Sequence, residues 1–181
     1  MAPAASLIRR HRWLPWAGLA FVGVVAFVLW FFEPQALVLD DTVSEAPPAV
    51  DAPDSSGADV KSDGAPSGEL AQGSFRPLGH DARGTAALID AADGNVYIRF
   101  EDFEVENGPD LKVYLSRATA DAPEGDLAAD IVDLGDLKGN VGDQNYLVPR
   151  AVDVGEYRSV VVWCKRFSVG FAVAPLDVRS S

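Results

Sequence analysis

Cys164 is the only cysteine in the 181 residues, and its thiol has the widest chemistry of any side chain in the sequence. It ends the apolar run 160–164, which predicts a buried strand. A single thiol in such a run has three interpretations: an inert core residue, a reactive thiol or a ligand. Because residues 160–163 are all apolar, an inert core thiol stays open. Arg166, two positions further on, would favour a thiolate if it lay close to the sulfur.

His80 is the second candidate, because the only other histidine belongs to the basic N-terminal segment 1–12. A zinc site usually needs three or four nitrogen or sulfur ligands, which one cysteine and one histidine do not supply without carboxylates. A haem needs only one or two axial ligands, so Cys164 or His80 would serve. The sequence lacks the Cys-x-x-Cys-His motif of covalent c-type haem. The alternative for His80 is a surface or capping residue.

Acidic and turn residues carry weaker signals. Asp102, Glu104 and Glu106 alternate along an extended segment, and we interpret them as a solvated row of charge that protects a sheet edge. Their spacing matches no calcium loop. Segments 108–110 and 138–142 have the composition of turns, and neither has the spacing of a phosphate-binding loop. A conventional hydrolase is disfavoured, because there is no nucleophile elbow and no Cys–His pair close in sequence.

The N-terminus predicts the compartment. Residues 13–32 contain no charge, and a run of about 20 apolar residues is long enough to span a bilayer. Arg9, Arg10 and Arg12 precede this run, which predicts a cytoplasmic tail over 1–12 and an uncleaved signal-anchor helix over 13–32. A cleaved signal peptide is the alternative, but its apolar core is usually only about 7–15 residues long. We therefore expect a single-pass membrane protein whose C-terminal domain is extracytoplasmic.

The remainder is acidic and begins with a linker. Residues 33–181 contain 12 basic and 27 acidic residues, a net charge of −15, which argues against nucleic acid as a partner. Residues 33–70 are rich in Pro, Ala, Ser and acidic residues and poor in aliphatic ones. Such a composition predicts a disordered linker.

Residues 71–178 are predicted to form one all-β domain, a small sandwich or barrel. Asp93-Gly94 between two apolar runs indicates a β-hairpin. Turn signals recur about every 10–15 residues, and no segment shows sustained helical periodicity. The predicted strands are 85–90, 95–100, 111–116, 131–134, 146–148, 159–164 and 168–174. Residues 118–130 are expected to be a loop interrupted by Pro and Gly.

Four blocks within this domain resemble a known family. They are the residues 73–86 with Gly73, Phe75 and His80, the run 103–116 around Gly108-Pro109-Asp110, the run 134–146, and the run 157–171 around Trp163-Cys164. In this order they are similar to the DM-thirteen domain family, small extracytoplasmic domains often found beside DOMON domains. The resemblance implies a β-rich fold and a redox role for Cys164, as a free thiol or by holding a prosthetic group such as haem.

Two classes of function follow from these observations. The first is a membrane-anchored extracytoplasmic redox or electron-transfer module that works through Cys164 with an unknown partner. The cofactor is not specified by the sequence, although a haem held by Cys164, with His80 as a weaker ligand, is one expectation. The second class is a non-enzymatic binding module on a stalk, in which Cys164 is a structural core residue. Native reactivity of the thiol distinguishes the two.

Overall fold

The computed structural model describes residues 14–32, 40–50 and 68–178, and the chain divides into two units, Met1–Val38 and Leu39–Ser181. In the first unit, residues Leu14–Phe32 form an α-helix, α1. Within the described part of the chain, no helix is long and apolar enough to cross a membrane. The transmembrane helix predicted over 13–32 is therefore not supported, although Leu14–Phe32 is helical.

The second unit contains two β-sheets. Its strands are β1 (Thr42–Ser44), β2 (Glu69–Ser74), β3 (Arg76–Pro77), β4 (Ala82–Asp90), β5 (Val96–Val105), β6 (Leu111–Ser116), β7 (Ile131–Asp136), β8 (Val141–Leu147), β9 (Ser159–Cys164), β10 (Val169–Pro175) and β11 (Asp177–Val178). One sheet has the order β1-β8-β5-β4-β2-β11, and the other has the order β3-β10-β9-β6-β7. This confirms the mostly-β class and is consistent with a sandwich.

Local turn chemistry explains the central hairpin of the first sheet. Strands β4 and β5 pair antiparallel from Asp90↔Val96 outward, and residues 91–95 connect them. The Gly94 amide donates to the Ala91 carbonyl at 2.9 Å, and the Asn95 amide donates to Asp93 Oδ1 at 2.9 Å. Gly94 has a φ of +73°, which only glycine adopts without strain. The predicted Asp-Gly hairpin is confirmed.

The two sheets share the main core. Large side chains of β5, such as Phe100 and Phe103, belong to one buried cluster with Val113 of β6 and Val162 of β9. A second cluster covers the opposite face of β9, where Val161 and Trp163 pack with Leu127. Leu127 ends the short helix α2, Glu124–Leu127, which forms within the segment predicted to be a loop. Strand β9 is thus buried on both faces, as its continuous apolar sequence predicts.

Two regions differ from the sequence prediction. Residues Thr42–Ser44, inside the predicted disordered linker 33–70, form β1 and pair in parallel with β8. The strand β2 also begins inside this segment, at Glu69, and linker residues 33–39 and 51–67 lie outside the described part of the chain. The predicted edge-protecting row is also wrong, because β5 lies between β4 and β8. Of that row, Glu104 instead forms an ion pair with Arg83 on β4.

Candidate functional site

Cys164 is the last residue of β9, and its side chain is fully buried with 0% of its surface exposed. It is opposite Leu111 of β6 on one side and Val169 of β10 on the other. Because side chains alternate along a strand, the sulfur points with Val160 and Val162 into the main core. The thiol is free, as expected of a single cysteine, and it has no direct access to solvent.

A tight turn closes the core at this end. The Lys165 amide donates to the Asp110 carbonyl at 2.9 Å, which ties the end of β9 to the predicted turn 108–110. A Cβ on Gly108 would lie 2.8 Å from Leu111 Cδ2 and 2.9 Å from Phe171 Cζ. A side chain at position 108 would therefore have to displace the side chains from β6 and β10 that occupy the space beside it. The thiol sits beneath a closed end of the sandwich.

The connection that follows Cys164 is exposed. Residues 165–168 form the turn between β9 and β10, and Phe167 keeps 64% of its surface in solvent. Ser168 has a φ of +55°, an uncommon conformation for a residue other than glycine. Arg166 is exposed in this turn. The buried Cys164 is thus followed directly by a solvated loop that carries one aromatic side chain and two cations.

His80 lies beside the same core but on its outer surface. Its ring stacks on Phe171 with the centroids 3.8 Å apart and the planes inclined by 10°. Its Nδ1 is 2.8 Å from Glu106 Oε2, and the side chain keeps 34% of its surface exposed. The hydrogen bond from His80 lowers the pKa of Glu106, although burial opposes this shift. His80 is thus packed and paired at the surface, and its ring contacts the aromatic side chain that belongs to the core cluster of Cys164.

The donor set does not assemble a metal site. Among the residues that the structure describes, no group of three or more His, Cys, Asp or Glu side chains could hold a metal ion. The surroundings of Cys164 also do not fit a haem. Its side chain has no exposed surface, both faces of β9 are covered, and an axial ligand needs an open face toward the porphyrin. His80, with its ring face against Phe171, is not aimed with Cys164 at a common cavity.

Two polar residues of β8 form a buried hydrogen-bond network with the turn 138–142. Gln144 is fully buried, and its Nε2 donates to the Gly139 carbonyl at 2.7 Å. The Tyr146 hydroxyl donates to Gln144 Oε1 at 2.6 Å and accepts from the Lys138 amide at 3.1 Å. Burial raises the pKa of Tyr146 strongly, so the hydroxyl stays protonated as a donor. Gln144 and Tyr146 thus tie down the loop 138–142 through side-chain hydrogen bonds.

No pattern in the sequence indicated that Arg99, which contacts Asn145 of strand β8, would be buried. Arg99 on β5 is only 2% exposed, yet it is surrounded by oxygen atoms. Its guanidinium donates to Asp143 Oδ2 at 2.9 Å, to the Glu45 carbonyl at 2.6 Å, to Asn145 Oδ1 at 3.2 Å and to Glu101 Oε1 at 3.3 Å. Two carboxylates and two neutral oxygens thus compensate for the burial of this charge.

Fold and site together define a β-sandwich domain with one thiol sealed in its core and a partly exposed histidine on the adjacent surface. The family model described as electron transfer DM13 matches residues 74–176, more than half of the chain. The chain belongs to this family, which confirms the resemblance seen in the sequence. No curated protein and no solved structure matches the chain. The family description indicates electron transfer at the level of the family.

Proposed function

We propose that the chain is an electron-transfer module in which Cys164 is the redox-active residue. The family description supports the general role. The observation that carries the assignment to Cys164 is its position. It is the single thiol of the chain, and it immediately precedes the exposed turn 165–168. Opening of this turn, without loss of the rest of the core, would expose the sulfur to a partner.

A lone thiol exchanges electrons with a partner disulfide in a balanced sequence. The Cys164 thiol loses its proton to solvent, and the thiolate attacks one sulfur of the partner disulfide. An S–S bond forms between the proteins while the partner's own S–S bond breaks and releases a thiolate. A thiol of an external reductant then attacks the Cys164 sulfur, which releases the partner as a dithiol, and a second reductant thiol frees the Cys164 thiol and leaves the reductant as the disulfide. The proposal includes no haem, because the packed surroundings of Cys164 do not fit one.

The proposed location is the extracytoplasmic side of a membrane. This rests on the sequence alone, in which Arg9, Arg10 and Arg12 precede the uncharged run 13–32. Protease added to intact cells should release a soluble fragment that begins within 34–70. Recovery of the intact chain only from the cytosol would refute the location and leave the role of Cys164 to be tested separately.

A stalked binding module is the second candidate function, and one observation favours it. Cys164 has no exposed surface and packs among apolar side chains, as inert core cysteines do. In this alternative the exposed Phe167 turn has no redox role. The sulfur would then react only when the whole domain unfolds.

Native labelling of the full chain distinguishes the two functions. The rate at which a thiol reagent modifies Cys164 is measured at increasing urea concentrations below the unfolding transition. Local opening of the turn exposes little surface, so the redox proposal expects a rate that urea barely changes. A structural cysteine instead labels with the full urea dependence of global unfolding. Phe167→Gly, a change in the exposed turn, should accelerate labelling only if the turn opens locally. Gly125→Ala, whose added Cβ would lie in open space on α2, is the control.

A further inference from the structure

We propose that the edge of β8 is a strand-addition site for an extended acidic peptide segment, and that residues 40–50 of the chain fill it in this structure. These residues are called the N-terminal strap. Without the strap, β8 would be the edge strand of its sheet, with unpaired backbone groups. Such an edge is a template for an added strand.

Backbone pairing supplies the first argument. Thr42, Val43 and Ser44 are opposite Val141, Gly142 and Asp143 in a parallel register. The Glu45 amide donates to the Asp143 carbonyl at 3.0 Å, and the Val141 amide donates to the Asp41 carbonyl at 3.3 Å. Main-chain bonds of this kind give an added strand its affinity with little dependence on its side chains.

Side chains of the domain hold the strap at two places. At its acidic residue, Lys138 Nζ lies 2.7 Å from Glu45 Oε1, and the Asn145 amide donates to Glu45 Oε2 at 2.7 Å. At its start, Asn140 accepts from the Asp41 amide at 2.7 Å and donates to Asp40 Oδ1 at 2.8 Å. A cation and an amide therefore select a carboxylate, and an asparagine fixes the register.

Further contacts extend beyond the carboxylate. Asn145 Nδ2 donates to the Ala46 carbonyl at 2.8 Å, and Arg99 donates to the Glu45 carbonyl at 2.6 Å. The Ala92 amide, in the β4–β5 hairpin, donates to the Ala49 carbonyl at 2.8 Å. The site thus binds a segment of about ten residues through its backbone and reads one acidic side chain.

Two glycines make room for the incoming backbone. A Cβ on Gly139 would lie 2.3 Å from the Asp41 carbonyl oxygen, and one on Gly142 would lie 2.0 Å from the Val43 carbonyl oxygen. Real Cβ atoms do not approach backbone oxygens so closely, so only glycine permits the strap to dock at both positions. These glycines match the shape of the segment that now occupies the edge.

The strap has the character of an exchangeable occupant. None of its residues is fully buried, and only Val43, Glu45, Pro48 and Val50 are half-buried, so docking leaves most of the strap in contact with solvent. The family match begins at residue 74, so Lys138, Gly139 and Asn145 belong to the family domain and the strap does not. The binding edge is therefore part of the domain, and its occupant is an added segment.

Competition with a peptide tests the proposal in the full chain. The probe is a fluorescein-labelled synthetic peptide with the sequence of residues 40–50, and binding is followed by fluorescence anisotropy. A tethered strap competes at an effective concentration in the millimolar range, so the wild-type chain should bind the probe weakly. Glu45→Ala weakens the tethered strap alone, and we expect it to increase probe affinity about tenfold or more.

Two matched changes locate the binding. Adding Gly139→Ala to the Glu45→Ala chain should abolish probe binding, whereas adding Gly125→Ala, which has nothing within 4 Å of its Cβ position, should not. A probe carrying Glu45→Ala should bind about tenfold more weakly than the unaltered probe. Absence of binding to the Glu45→Ala chain, or equal binding when Gly139→Ala is added, overturns the proposal.

Hydrogen exchange keeps the test decisive if Gly139→Ala does not fold. In the Glu45→Ala chain, the backbone amides of position 45 and of Val141 should lose protection about tenfold or more relative to the wild type, because both donate across the β1–β8 pair. The β9 amides of the other sheet should keep theirs. Unchanged protection at position 45 and at Val141 would show that Lys138 and Asn145 do not hold the strap and would overturn the proposal.

Discussion

Replacing Cys164 by serine tests how the sulfur is packed. The thiol has no exposed surface and faces the main core with Val160 and Val162. Serine is nearly the same size, but its hydroxyl would enter an apolar environment, and a buried hydroxyl without a partner costs about 1–3 kcal/mol. Since small domains have a total stability of about 5–15 kcal/mol, this loss is measurable. We expect Cys164→Ser to lower the free energy of unfolding of the full chain by about 1–3 kcal/mol.

Two further variants separate polarity from volume. Val162→Thr introduces a hydroxyl into the same face of β9 at nearly constant volume, so its cost should resemble that of Cys164→Ser. Cys164→Ala removes the sulfur without adding a polar group and should cost about 1 kcal/mol, the transfer free energy of one small apolar group with a modest cavity term. The free energy of unfolding should therefore be highest for the wild type, lower for Cys164→Ala and lowest for Cys164→Ser and Val162→Thr.

Chemical denaturation monitored by tryptophan fluorescence gives these values, with an exposed change in the adjacent turn, Lys165→Ser, as the control. Equal stability of Cys164→Ser and the wild type would refute the placement of the sulfur in a packed apolar core. The same result, together with rapid native labelling, would favour an accessible thiol. The stability measurement therefore tests the packing, and the urea dependence of labelling tests the function.

Three other predictions concern the polar network and the strap. Arg99→Lys should destabilise the domain by about 1–3 kcal/mol in urea denaturation, because an ammonium cannot reproduce the fork of donors to four oxygen partners, and unchanged stability would contradict this. Tyr146→Phe should also lower the free energy of unfolding by about 1–3 kcal/mol, because it removes the hydroxyl that donates to Gln144 and leaves the Lys138 amide without its acceptor. Acid should release the strap by protonating Glu45. Burial would raise the pKa of Glu45, but hydrogen bonds from Lys138 and a backbone amide outweigh burial and lower this pKa below the ordinary 4.5. The stabilisation from the Glu45 carboxylate is therefore present above pH 4.5 and is lost as the pH falls through the lowered pKa. Lys138→Met should bring the NMR titration of the Glu45 carboxyl back toward its ordinary value, and an unmoved titration would contradict the assignment.

The central strands could be predicted from the sequence because their signals are local. The predicted bounds of β6 and β9 agree with the structure to the residue, since both are rich in apolar residues and a charged residue, Arg117 or Lys165, follows each. Strand β5 continues to Val105, beyond the predicted 100, although its later residues alternate with charges. Those charges are accommodated by partners on neighbouring strands, as Glu104 is by Arg83, and pairing of this kind leaves no pattern in the strand itself.

The strap could not be predicted for the opposite reason. Its own sequence has neither apolar alternation nor β-forming residues beyond Thr42, Val43 and Val50, and composition alone predicted disorder. Its order comes from Asn140 and Asn145, which are about a hundred residues away along the chain. Composition measures how well a segment can bury itself, and it does not detect a segment that binds through its backbone to a prepared edge.

The candidate site was predicted in part. The apolar neighbours of Cys164 indicated that both faces of β9 would be covered, but the side chain that covers the outer face, Leu127, comes from the segment predicted to be a loop. His80 was identified only as the one histidine of the domain. Its stacking on Phe171 joins residues about ninety positions apart, and no pattern in the sequence encodes that contact.

Cys164 and the N-terminal strap lie on different sheets, and this separation decides how the two proposals relate. The thiol ends β9 in the five-stranded sheet, whereas the strap pairs with β8 at the edge of the six-stranded one. Effects at well-separated sites without shared partners are usually additive, so loosening the strap should not by itself admit a reagent to the core. An inert Cys164 would therefore leave the peptide site intact, and a strap that does not exchange would leave the redox role open. The domain can present a partner-binding edge on one sheet and a guarded thiol on the other without either depending on the other.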